Sequence, residues 1–263
     1  MAGLTRGLAD FPRQVLAVAE SDIRKLRHDP VELFSRMVQP MLWLLIFGEV
    51  FNRAHVIDTG AVTYLDFIAP GILAQSVLFA AIFYGVSVIW ERDLGILQKF
   101  LVSPAPRTAL VLGRALSSGV RGLAQGTAVY LLSLLLGVHL RAEPAALAGV
   151  IATVMAGAAI FCTFSLIVAC IVKTRERFMG IGQVLTMPLF FASNAIYPIA
   201  MMPSWLQHLA RLNPLTYQVD ALRALLIYGS ESTFGLGVDF GVQILVLAVL
   251  TAIASRLYPG IIN

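Results

Sequence analysis

Long apolar runs and short polar interruptions alternate along this chain. Six runs dominate, at 32–51, 67–90, 116–140, 145–172, 178–199 and 238–255. Each supplies the roughly 20 mostly apolar residues that an α-helix needs to cross a hydrocarbon core of about 30 Å. Short strands of alternating polarity, the mark of a membrane β-barrel, are missing. The pattern predicts an all-α, polytopic membrane protein with six transmembrane helices.

The shorter segments carry their own patterns. Before the first run, Val15, Ala19, Ile23 and Leu26 recur at helical spacing, with Arg24, Lys25 and Arg27 close behind. This suits an interfacial helix over 11–30 with its arginines toward lipid phosphates; a solvated helix is the alternative. Asp29-Pro30 ends it, because proline disfavours helix in the residue before it. In the third run Ser118, Gly122 and Gly126, beside Ala115 and Gly119, form a small-residue ridge. Such ridges let helices approach closely in lipid, and packing within one subunit is expected here rather than a dimer face.

After the second run comes "WERDLGILQKFLVSPAPR", residues 90–107. Trp90 marks the interface, and Glu91, Arg92 and Asp93 are expected to emerge into water. Leu94, Leu97 and Leu101 follow at i, i+3, i+7, and Pro104 and Pro106 stop the helix. The loop at 91–107 should therefore hold a short helix parallel to the membrane. On pattern alone it is either anchored to lipid or gripped by another protein.

After the fifth run the segment 194–235 is half-apolar and rich in proline. Pro203 starts a short helix that Asn213-Pro214 closes. A second helix then places Leu215, Val219, Leu222 and Leu226 on one face, with Asp220 and Arg223 on another. At about 1.5 Å per residue it reaches only about 21 Å, too short to cross. A re-entrant or interfacial position on the outer side is expected, with any non-helical backbone at membrane depth buried in protein or facing water.

Composition agrees. Of 263 residues 58% are apolar and only 13% are charged, and mean hydropathy is +0.82. The net charge of +4 reflects topology and not nucleic-acid binding. With a cytoplasmic N-terminus, thirteen Lys and Arg fall inside, four (Arg53, Arg141, Arg211, Arg223) outside, and Arg114 and Arg121 in or near the third run. That positive-inside bias places both termini in the cytoplasm. No short apolar region with a cleavage site precedes the first run, so no signal peptide is expected.

Candidate chemistry is sparse. Lys173-Thr174 lacks the preceding glycines of a phosphate loop. His28, His55, His139 and His208 show no metal-ligand spacing. Cys162 and Cys170 read as core residues. Ser165 and Ser193 have no histidine inside a span to activate them, so catalysis by this chain is not expected. No Asp or Glu sits at a span centre, which leaves an ion-coupled mechanism without its usual residues. Arg107, Arg114 and Arg121 recur every seven residues: they form a basic stripe at a cytoplasmic mouth, or they lie at phosphate level and snorkel. Phe79, Phe83 and Tyr84 are candidates for a substrate path.

Three stretches carry a resemblance: "RMVQPMLWLLIFGEVF" (36–51), "YLDFIAPGILAQSVLFAAIFYGVSVIWERDLGILQKFLVSPAPRTALVLGR" (64–114) and "NAIYPIAMMPSWLQHLARLNPLTYQVDALR" (194–223). Together they resemble the permease of a type-2 ABC exporter, closest to the branch for antibiotic and multidrug efflux and for lipo-oligosaccharide export. The resemblance implies one ABC-2 transmembrane domain over 1–263 in a bacterial plasma membrane. It implies pairing with a second permease subunit, the same or a paralogue. A separate cytoplasmic ATPase would hold Mg-ATP, while this chain holds no cofactor or metal and is no enzyme. The residues matching a coupling helix are Glu91, Arg92, Asp93, Leu94, Gly95, Leu97, Lys99, Phe100 and Leu101. Those matching an outer re-entrant gate are Tyr197, Pro198, Pro203, Asn213 and Pro214. The implied function is ATP-driven export of a hydrophobic or amphipathic compound. A glycan exporter is the alternative, and an ATPase-independent channel or secondary transporter a remote one.

Overall fold

The computed structural model describes residues 12–17, 19–20, 38–48, 50–51, 62–95, 106–172 and 174–258. Among them the fold is helical, with one isolated antiparallel bridge between Leu140 and Ile227 and no strand. Residues 12–17 and 19–20 are helical, within the segment expected to form the interfacial helix. The helices that follow are α1 (Val38–Gly48), with a π-turn over Trp43–Gly48; α2 (Tyr64–Tyr84); α3 (Val86–Asp93); α4 (Arg107–Leu135); α5 (Pro144–Ile171); and α6 (Arg175–Phe191). A 3₁₀ turn (Ile199–Met201) leads to α7 (Ser204–Leu212), α8 (Pro214–Leu226) and α9 (Leu236–Leu257). Three helical stretches are long and apolar enough to cross a membrane: Tyr64–Asp93, Pro144–Ile171 and Leu236–Leu257. α4 is as long, but Arg107, Arg114 and Arg121 dilute its apolar character.

The small-residue ridge is where α4 docks. A methyl on Gly122 would sit 3.1 Å from the Ala158 Cβ of α5 and 3.3 Å from Val77 of α2. Gly126 faces Leu73 and Val154 in the same way, and Ser118 Oγ donates to the Ala158 carbonyl at 3.3 Å. α2, α4 and α5 thus pack at backbone distance, which favours van der Waals contact where lipid removes any hydrophobic drive between helices. Ile68, Ile72, Leu78, Ile160, Phe161 and Leu166 fill the space between them, fully buried. α9 instead turns Ile244 and Leu245 outward.

α2 and α3 form one bent rod. Ser165 Oγ donates to the Ile82 carbonyl at 2.5 Å, and the Gly85 amide bonds that carbonyl from three residues on. A side chain at Gly85 would meet Ser165 Oγ at 1.9 Å, so glycine is what lets the bend lie against α5.

Two expectations are corrected. The fifth run was expected to span 178–199, but α6 stops at Phe191, three residues beyond Pro188, and a chain of turns follows. At about 1.5 Å per residue its 17 residues reach about 25 Å. The second outer helix was expected to carry Asp220 and Arg223 on a separate polar face. Instead α8 packs against α2, α5 and α9, and both charged residues are buried with its leucines. Spacing alone did not reveal this, because Asp220 finds its partners in the loop before α9 and Arg223 finds its own in α2 and the turns after α6.

Candidate functional site

Charged side chains are buried in two places, at opposite ends of the helices. The first is the junction of α3 with α4. Glu91 does not emerge into water as its sequence context suggests: α3 runs on through Asp93, which turns Glu91 inward onto Arg114 of α4. The two side chains are buried and ion-paired. A buried carboxylate persists only with a countercharge, so the pair fixes α3 to α4. Tyr258, at the end of α9 and also buried, stands within electrostatic reach of both.

The exposed side of this junction is also cross-linked. Asp93 bonds Arg92 at 3.0 Å and the Arg175 guanidinium at 3.0 Å. Arg175 in turn lies 3.8 Å over the Trp90 ring. Trp90 and Leu94 remain half-exposed or more, beside Gly95 in a left-handed turn (φ 69°). Leu97, Lys99, Phe100 and Leu101 fall outside the described residues.

The heptad-spaced arginines of α4 do not share one environment. Arg107 is exposed, Arg114 is paired with Glu91, and Arg121 is half-buried with its guanidinium 4.5 Å over the Tyr84 ring. Tyr84 itself is buried against α4, whereas Phe79 and Phe83 stack with each other on a partly open face. The three aromatics therefore do not line a common surface.

The opposite end is built on a helix hairpin. Asn213, 6% exposed, joins α7 to α8 and caps α8 by accepting from the Leu215 amide at 3.0 Å. Its Nδ2 donates to the carbonyls of Leu189 at 2.6 Å and Ala192 at 3.2 Å. These are carbonyls that the early end of α6 leaves without helical partners. One side chain thus satisfies both sides of a backbone break. Pro214 occupies the first position of α8, where its missing N–H is not needed. Pro198 and Pro203 precede the 3₁₀ turn and α7, and Tyr197 donates its hydroxyl to the Phe191 carbonyl at 2.6 Å.

The second arm of this hairpin, α8, carries the second buried arginine. Arg223, 7% exposed, is bonded by backbone oxygens only: Nε and Nη2 donate to Phe67 O at 3.3 Å, and Nη2 donates to Asn194 O at 2.8 Å. Its guanidinium stacks 3.8 Å over the Phe67 ring. The carboxylate nearest along α8, Asp220, is engaged elsewhere. It accepts from the Thr233 amide and hydroxyl, the Phe234 amide and Ser232 Oγ, holding the loop before α9. A guanidinium keeps its proton in proteins, so Arg223 is a buried cation, with the Asp220 carboxylate within electrostatic reach but not bonded to it.

The ABC-2 type transporter model matches residues 13–227. The chain belongs to the ABC-2 type transporter family. A putative transport permease ycf38 of Cyanophora paradoxa is 28% identical over 262 residues, covering 96% of this chain and 90% of the relative. The daunorubicin resistance ABC transporter permease protein DrrB1 of Streptomyces coeruleorubidus is 28% identical, covering 88% and 81%. The inner membrane transport permease YadH of Escherichia coli K12 is 25% identical, covering 69% and 70%. Members of this family are transmembrane subunits of transporters, not catalysts, and this chain is accordingly a multi-pass membrane permease.

Several polar groups of the permease were not singled out in the sequence. Gln75 in α2, Gln125 in α4 and Gln218 in α8 are buried, and each has side-chain amide atoms without a protein partner. Gly157 admits Gln218, whose amide would lie 2.2 Å from an added methyl. Within long apolar runs a single glutamine carries no periodic signal; only the packing shows that these point inward. Ser165 and Ser193 donate their hydroxyls to the Ile82 and Phe190 carbonyls.

Proposed function

We propose that this ABC-2 permease is the membrane half of an ATP-driven exporter that moves a hydrophobic or amphipathic compound from the cytoplasm or inner leaflet. In this reading the chain forms one domain of six spans: the segment containing α1, the α2–α3 rod, α4, α5, α6 and α9. The Glu91 end faces the cytoplasm, as the basic residues require, and the hairpin of α7 and α8 re-enters from the outside. Two permeases pair, and an ATPase subunit holding Mg-ATP docks below each.

One observation carries the proposal. The end of α3 is tied to α4 through Glu91–Arg114, to the start of α6 through Asp93–Arg175, and lies beside Tyr258 at the end of α9. A push on residues 91–107 therefore reaches four spans at once. ATP on the partner supplies the difference in affinity that shifts two states, which this chain cannot supply for itself. Leu94, 67% exposed, and the segment after it form the docking surface.

An apolar cavity supports this substrate class. A cavity of about 190 Å³ between α2, α4 and α5 is lined by Leu73, Leu123, Tyr130, Leu147, Ile151 and Val154. It suits part of a hydrophobic molecule, and a relative named for daunorubicin resistance agrees. The buried amides of Gln75 and Gln125 favour the second reading, export of a glycan. Efflux assays on inverted membrane vesicles, with and without ATP, separate the two. ATP-dependent accumulation of hydrophobic dyes but not of labelled oligosaccharides is expected. Accumulation of either that ignores ATP would end the exporter reading.

A further inference from the structure

The outer end of the permease holds a pocket that export does not explain. Its volume is about 430 Å³, and its wall includes Phe67, Asn194, Pro198, Arg223, Glu231 and Thr233. Arg223 forms the cationic wall. Its hydrogen bonds run from Nε and Nη2 to carbonyls, and none runs to a carboxylate. A buried guanidinium is costly without an anion, because backbone carbonyls supply dipoles and not charge. The neighbouring Asp220 offsets this charge only in part, because it makes no hydrogen bond to the guanidinium and has both oxygens committed to Ser232, Thr233 and Phe234. Beside the guanidinium, the Asn194 side chain is 2% exposed and its Oδ1 has no partner. The exposed Glu231 adds a carboxylate at the mouth.

The pocket therefore asks for two things in one ligand: an anion within, and a hydrogen-bond donor, preferably cationic, beside it. We infer that it binds a phosphoethanolamine group, the phosphate on Arg223 and the primary ammonium on Asn194 Oδ1 and Glu231. A trimethylammonium has no N–H to offer these acceptors, and a glycerol hydroxyl carries no charge for Glu231. The group arrives either as the headgroup of a bilayer lipid or as part of a soluble molecule. The outer location rests on the orientation proposed above, but the binding itself needs no ATPase and is measured without one.

The test is native mass spectrometry of the full-length permease in detergent. Dioleoyl phosphatidylethanolamine, phosphatidylcholine and phosphatidylglycerol are offered in equal amounts. Wild type should retain phosphatidylethanolamine about tenfold over either of the others, the effect of one or two charge-assisted hydrogen bonds. Glu231→Gln, at an exposed position, should erode that preference with thermal stability unchanged. Arg223→Gln should abolish it; should that variant fail to fold, Asn194→Ala together with Glu231→Gln decides in its place. Displacement by soluble O-phosphoethanolamine would support a site that reads the headgroup alone. Retention despite that competitor would support a bilayer lipid as the source. Equal retention of the three lipids by wild type, or a preference unchanged by all of these variants, overturns the inference.

Discussion

The two buried arginines of this permease make an instructive pair. Arg114 and Arg223 are both nearly inaccessible and both sit on helices of the central pack. Arg114 meets a carboxylate from another helix, Glu91, and its charge is cancelled inside the protein. Arg223 meets only carbonyl oxygens and an aromatic face, while the acid one turn away is spent on a loop. The first arrangement joins two helices. The second leaves a cation facing a pocket. Burial alone does not say what a charge is for; its partner does.

The largest way to break this contrast is to remove one half of the Glu91–Arg114 pair. Glu91→Ala leaves Arg114 buried beside no countercharge, a loss of about 3–5 kcal/mol. Fluorescence-detected size-exclusion chromatography on heating should show it as a lower melting temperature and yield. The swap Glu91→Arg with Arg114→Glu should recover much of the loss; no recovery would mean that the pair does not act as a pair. Next comes Gly85→Ala at the α2–α3 bend, where the new methyl collides with Ser165. Overpacking of this kind costs about 1–3 kcal/mol and should shift α3 off α4, lowering the melting temperature in the same assay.

A comparable effect is expected on the other side. Asn213→Ala strands the Leu189 and Ala192 carbonyls and uncaps α8, costing about 1–3 kcal/mol by the same heating assay. Asn213→Asp keeps the cap but loses the two donors, so a fall of similar size would single out the carbonyl contacts. The smallest effect belongs to Asp93→Asn. Its bonds to Arg92 and Arg175 are exposed to solvent, and the melting temperature should not move. A large fall would show that the junction depends on its exposed links as much as on Glu91.

Much of this architecture was legible in apolar run length. The run at 145–172 is α5 to within a residue, and the last run sits inside α9, because an unbroken apolar run sets where each helix begins and ends. Asn213-Pro214 marked the boundary between two short helices because its turn chemistry is local. Partners distant in sequence were not legible. Glu91 finds Arg114 23 residues away, and Arg223 finds Phe67 156 residues away. The charge pattern put Glu91 in water and Arg223 on a polar face, since a pattern along one helix does not register what the opposing helix offers. The early end of α6 was hidden for the same reason: the group that completes it, Asn213, comes from the hairpin.

The most direct measurement is a mild-detergent purification of the tagged permease from its host, asking what comes with it. Leu94→Glu is the variant to run beside wild type, because Leu94 is exposed at the end of α3 whereas Glu91 is buried and would unfold the junction. An ATPase subunit should co-purify with wild type and be lost from Leu94→Glu, with both permeases equally stable. No ATPase with wild type under several mild conditions, together with transport by the purified chain alone in liposomes, would contradict an ATP-driven permease worked through this end.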